Sequence, residues 1–110
     1  MNKEIYVFNN LTEYETIIAS ESKEKIVDYA VDYIMDCLDL ETKMDEEFGV
    51  ENFEDEKIDE YLERYKTFKQ DYEKRVRKWA IDLANGNYRH HYSNEFSNEL
   101  YFWIKRVELI

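Results

Sequence analysis

From about Asp55 to Asn85 apolar side chains recur every three or four residues: Ile58, Leu62, Tyr65, Tyr72, Val76, Trp79 and Leu83, with Lys69 the one polar intruder. Tyr61, Phe68 and Ala80 flank the row, and neither glycine nor proline interrupts it. A run of this length and period can bury its stripe only as one long amphipathic helix. Gly86, directly after Asn85, supplies a C-terminal stop. Such a helix cannot bury its stripe alone, so the rest of the chain has to provide a second layer.

The two ends of the sequence supply it. Residues 4–8 (EIYVF) and 15–19 (ETIIA) are β-branched and aromatic, and the polar residues between them suit a hairpin loop. The closing run LYFWIKRVELI reads as a strand over about 100–109; its apolar density on both faces predicts the centre of the sheet. Ser20 and Ser22 are N-cap hydroxyls, with Glu21 and Glu24 at the positive end of a helix expected over about Ser22 to Leu40. That helix buries Ile26, Val27, Ala30, Tyr33, Ile34, Cys37 and Leu38 and turns Asp28, Asp32, Asp36 and Asp39 outward. Residues 41–54 lose the period and read as an acidic connector containing a short helical piece. The expected fold is α+β, in one domain over 1–110: a small antiparallel three-stranded sheet, made of the N-terminal hairpin and the C-terminal strand, packed against two helices, the second long. Its expected core contains Ile26, Ile34, Leu38, Leu62, Val76, Trp79, Phe102 and Ile104.

Charge is distributed unevenly. The chain carries 26 acids against 15 Lys and Arg, a net −11. Thirteen of those acids and only two lysines fall between Asp36 and Glu63, giving 2 − 13 = −11, so the remainder balances. Residues 64–78 (RYKTFKQDYEKRVRK) swing the other way, with seven basic and two acidic side chains. Acid at the front of the long helix and base behind it suit the helix dipole, which is the plainest account of the polarity. A net −11 excludes direct nucleic-acid binding as the first expectation, because phosphate affinity comes from Lys and Arg. It favours a basic partner protein.

Tests for chemistry find no signature. Asp45–Glu56 has the length of an EF-hand loop, but Gly49 stands fifth and Val50 sixth, where the loop requires glycine at six. His90 and His91 are adjacent, without the i, i+4 spacing of a zinc helix, so no metal is assigned. With two glycines in all there is no phosphate-cradling loop, and no serine or cysteine lies in a nucleophile motif. The lone Cys37 is expected as a small buried hydrophobe in a reducing compartment. Neither a signal-peptide h-region nor a membrane-length apolar run is present, so a cytoplasmic, non-membrane, non-enzymatic protein without a cofactor is expected.

Thirteen acids in 28 residues repel one another, which solubility alone does not require. Glu56, Glu60 and Glu63 follow at spacings of four and three, beside the neighbouring row Asp55 and Asp59. Carboxylates stacked at the helical pitch of about 5.4 Å imitate the scale of phosphates along a strand. The stretch TIIASESKEKIVDYAVDYI, a strand passing through Ser-Glu-Ser into an amphipathic helix and then an acidic segment with Asp-Glu-Glu-Phe, resembles small acidic phage-encoded type II-A anti-CRISPR proteins over about a third of the chain. That resemblance implies a DNA mimic occupying the PAM-reading site of a Cas9–guide RNA complex in a bacterial host cell. By position it implies Asp45, Glu46 and Glu47 against the PAM-reading arginines, with Glu51, Glu54, Asp55 and Glu56 added by proximity. The carboxylates Asp59, Glu60 and Glu63 extend the same surface. The long helix and closing strand have no counterpart in that resemblance, so another defence nuclease stays open as target. The second reading is a non-enzymatic adaptor that dimerises through Tyr65, Phe68, Tyr72, Val76 and Trp79 of the long helix.

Overall fold

The computed structural model describes residues 3–10, 15–48, 58–89, 94–98 and 100–109, the side chains of Glu15, Asp45, Glu47, Phe48, Ile58, Asn98 and Leu109 excepted. Strands β1 (Lys3–Asn10) and β2 (Glu15–Ser20) form the hairpin. Helices α1 (Lys23–Cys37), α2 (Leu40–Phe48), α3 (Ile58–Ala84) and α4 (Glu95–Asn98) follow, and β3 (Phe102–Leu109) closes the chain. The fold is α+β, with a three-stranded antiparallel sheet in the order β2-β1-β3.

The closing strand is therefore at an edge, and the first strand takes the centre that β3 was expected to hold. Nor is the strand buried on both faces. Phe102 and Ile104 are buried towards the helices, whereas Lys105 and Arg106 are exposed and Trp103 is only half-buried against the ring of Tyr88, 5.4 Å away. Phe8 of β1 pairs with Ile18 on one side and Ile104 on the other, and its fully buried ring meets Tyr29, Tyr33 and Phe102. Tyr6, on the same face, donates its hydroxyl to Glu4 at 3.1 Å; burial, then that hydrogen bond, raises its pKa. A register shift between Phe8 and Asn9 leaves Ile17 as the extra residue of a bulge in β2.

Ser22 caps α1 as expected, its Oγ accepting the Lys25 N–H at 3.3 Å, and Asp28, Asp32, Asp36 and Asp39 are all exposed. The helix stops at Cys37 rather than reaching Leu40. Leu38 is extended, and Asp39 begins a new helix: its carboxylate accepts the backbone N–H of Thr42 at 3.2 Å and the Thr42 hydroxyl at 2.7 Å. Those bonds satisfy a free N–H of α2 and hold the Asp39 carboxyl below its ordinary pKa. Cys37, expected inside, is exposed because the stripe ends one turn earlier. Its thiol is nevertheless partly desolvated and lies beside Asp36, and both raise its pKa.

In α3, Phe68, Tyr72, Val76, Trp79, Ala80, Leu83 and Ala84 are buried, while Leu62 is 56% exposed. A row spaced at seven residues per two turns drifts by about 20° per heptad on a straight helix. Three heptads from Leu83 back to Leu62 accumulate about 60° on that rule, enough to carry Leu62 off the buried face. Of the expected core, Ile26, Ile34, Val76, Trp79, Phe102 and Ile104 are buried, Leu38 is half-buried and Leu62 is exposed. The end of α3 is a Schellman-type stop, with Gly86 N–H donating to Leu83 O at 2.9 Å and Asn87 N–H to Asp82 O at 2.8 Å. Gly86 has φ +81°, and a Cβ there would stand 3.2 Å from the Arg106 guanidinium. The short α4 was not anticipated. Asn94 caps it through the Phe96 N–H, and Phe96 is inserted edge-on against Tyr72 and Trp79.

Candidate functional site

The acidic segment falls on α2 and the front of α3. Lys43 of α2 lies over the ring of Tyr72, and Lys43 and Glu46 line one recess with Phe68 and Tyr72, so α2 packs beside α3, whose first turns are also acidic. Asp59, Glu60 and Glu63 lie in those turns and are exposed, as is Glu46. Among the described side chains of α3 the first buried one is Phe68, so the described acidic front, Asp59, Glu60 and Glu63, extends beyond the tightly packed core. Among the described residues none of Glu41, Glu46, Asp59, Glu60 and Glu63 enters an ion pair.

Other candidate positions fare differently. Asp45 and Glu47 stand on the α2 backbone next to Glu46, but their side chains lie outside the described residues, as do Glu51, Glu54, Asp55 and Glu56 entirely. Successive helical positions are about 100° apart, so positions 45, 46 and 47 take three directions around α2 rather than one. With Met44 fully buried, Glu46 lies on the outward side. His90 and His91 also lie outside the described residues, and among the described ones no cluster of three His, Cys, Asp or Glu side chains could hold a metal.

The helix dipole accounts for only part of the charge pattern. Asp59 and Glu60 occupy the first turn of α3, where negative charge is favoured. Asp45, Glu46 and Glu47 occupy the last turn of α2, where it is disfavoured, and no basic residue is there to offset them. Likewise the last turn of α3 contains no Lys or Arg. Its basic residues lie mid-helix; among them Arg77 donates to Asp28 at 2.8 Å, and Arg75 donates to Glu95 at 2.8 Å. Lys66, Lys69, Lys74 and Lys78 are exposed.

Glu95, from the polar stretch before β3, was missed at the sequence level. Besides Arg75 it accepts the Tyr72 hydroxyl at 2.7 Å and has Lys43 at 3.8 Å. Arg75 and Lys43 both lie over the Tyr72 ring, at 4.9 and 5.9 Å. With Glu46 and Phe68 these residues line a shallow recess of about 270 Å³ that ties α2, α3 and α4 together. Lys43 and Arg75 are already matched to Glu95, which makes the recess a clasp rather than a ligand site. Phe68, Tyr72, Val76 and Trp79, named above as a dimer seam, are buried in the chain's own core; a dimer through the long helix would need other residues. Among the described residues no helix is long and apolar enough to cross a membrane. No family model matches this chain, and neither a curated protein nor a solved structure does.

Proposed function

We propose that this protein is an acidic inhibitor that occupies the nucleic-acid-binding surface of a basic protein, its carboxylates taking the place of phosphates. Its specific form, drawn from the resemblance, is an anti-CRISPR that blocks DNA at the PAM-reading site of a Cas9–guide RNA complex, without enzymatic chemistry or a cofactor. The observation that supports the reading is the placement of Asp45, Glu46 and Glu47 in the last turn of α2, against the dipole and without a basic neighbour in that turn. Negative charge at a helix C-terminus is disfavoured, which a helix designed for stability would avoid. A basic partner offsets that cost on binding.

The test is competition with labelled target DNA for the Cas9–guide complex at two ionic strengths. The parent should displace DNA, and less so at high salt, because exposed charges are screened beyond a Debye length of about 8 Å at physiological ionic strength. Replacing Asp45 by Asn and both Glu46 and Glu47 by Gln should weaken displacement at least about tenfold, or 1.4 kcal/mol, while leaving the melting temperature equal or higher. Asp32→Asn is the matched control, since Asp28 is engaged by Arg77. Failure of the parent to displace DNA removes this target, and equal displacement by parent and triple variant removes α2 from the site.

A further inference from the structure

Helix α2 carries four acids, Glu41, Asp45, Glu46 and Glu47, and a single cation, Lys43, a net 1 − 4 = −3. Nine residues make a marginal helix by themselves, so the placement of α2 depends on what it docks against. Among its described side chains only Leu40 and Met44 are buried. Docking also brings Glu46 to the recess that Glu95 of α4 lines, and two carboxylates around one recess repel unless cations stand with them. Lys43 is the cation that α2 itself supplies. Its Nζ lies 3.8 Å from Glu95, with the two side chains 29% and 26% exposed, and 5.9 Å from the centre of the Tyr72 ring. Glu95 is fixed in turn by Arg75 at 2.8 Å and the Tyr72 hydroxyl at 2.7 Å. Among the described side chains Lys43–Glu95 is the one ion pair that α2 makes.

We propose that Lys43 and Glu95 are positioning residues of the acidic site: their pair holds α2 against α3 and α4 and so sets how strongly the carboxylates of its last turn bind. The proposal rests on the reading of those carboxylates as a binding surface. A surface held in place beforehand loses less freedom on binding. The consequence is opposite in sign to a simple count of charge. By charge alone, removing the cation from α2 takes the chain from −11 to −12 and strengthens binding to a basic partner. With Lys43 as a positioning residue, the same change weakens it.

Two measurements test this. The first is amide exchange of the free chain, which requires no partner. Lys43→Met keeps an unbranched stem over the Tyr72 ring, and Glu95→Gln keeps an acceptor for the Tyr72 hydroxyl. Each should speed exchange across Leu40–Phe48 about two- to fivefold, the range for a partly exposed ion pair, and leave the α1 amides unchanged. The double variant should exchange no faster than the quicker single one, because both break the same pair. The second measurement is the DNA competition described above. Lys43→Met should displace DNA about two- to fivefold less well than the parent, whereas Lys25→Met, an equal change of charge at an exposed position of α1, should displace it at least as well. Unchanged exchange in α2 overturns the proposal, and so does faster exchange joined to displacement by Lys43→Met equal to or above that of the parent. A parent that displaces no DNA removes the reading of the site instead, and the exchange comparison then decides the clasp alone.

Discussion

The indole N–H of Trp79 donates to the hydroxyl of Ser97 at 3.1 Å, and both side chains are buried. The bond joins the long helix to a four-residue helix formed 18 positions later, and Phe96 beside it fills the space between Trp79 and Tyr72. Ser97→Ala keeps the volume nearly constant but strands a buried donor, which costs about 1–3 kcal/mol. Thermal unfolding should show a loss of roughly 5–10 °C for a cost near 1.5 kcal/mol. Trp79→Ala removes the ring as well and should cost about 3–5 kcal/mol; an unchanged melting curve for either would contradict the packing described.

Glu95 and Glu21 separate an ion pair that supports the fold from one that does not. Glu95 has a side chain 26% exposed and takes both the Tyr72 hydroxyl and Arg75, whereas the Lys3–Glu21 pair is 71% and 67% exposed at 3.4 Å. Glu95→Ala should lower stability by about 1–2 kcal/mol, through the charged hydrogen bond lost by the Tyr72 hydroxyl. Glu21→Ala should change it by less than about 0.5 kcal/mol. Urea unfolding of the two variants checks the difference.

Two leucines of one sequence stripe should respond unequally. Leu83 is fully buried and Leu62 is 56% exposed. Leu83→Ala should cost about 2–5 kcal/mol, and Leu62→Ala less than about 0.5 kcal/mol apart from any small change in helix propensity. Equal costs at the two positions would return Leu62 to the core.

Asp39 gives the fold an acid-side dependence. Its carboxyl pKa lies below the ordinary 3.8 because the Thr42 hydroxyl and backbone N–H bond its charged form. A depressed carboxyl contributes stability that is fully present above the unfolded pKa and is lost as the pH falls through the folded value. Asp39→Asn keeps an N-cap acceptor without that titration. Between pH 5 and pH 3, or about one unit to either side of the unfolded pKa, the parent should lose more melting temperature than the Asn variant. Parallel losses would remove the cap from the acid response.

What the sequence by itself determined is whatever a few neighbouring residues settle among themselves. Ser22 caps α1 and Gly86 ends α3, because an orphan N–H needs a nearby oxygen and a left-handed turn is easiest for glycine. The hairpin, the long helix and most of the buried stripe follow from side-chain period. The break at Asp39 was also local, since the Asp39 and Thr42 spacing is a cap signature, but the continuing apolar row at Leu38 and Leu40 obscured it. Of the proposed acidic site, the clustering of its carboxylates along the chain was legible. Its orientation against the α2 dipole was not, because that depends on where α2 begins and ends.

Only the tertiary structure decided the rest. Leu62 satisfies the spacing of the stripe, yet small angular drift over three heptads carries it out of the core, and local spacing does not reveal where the packed layer ends. Strand β3 has apolar density enough for the centre of a sheet, but pairing order depends on contacts across the whole chain, and β1 took that place. Glu95 looked like one more polar residue in a loop. Its three partners, Lys43, Tyr72 and Arg75, lie 20 to 52 positions away, and only the packing of α4 between Tyr72 and Trp79 brings it to them.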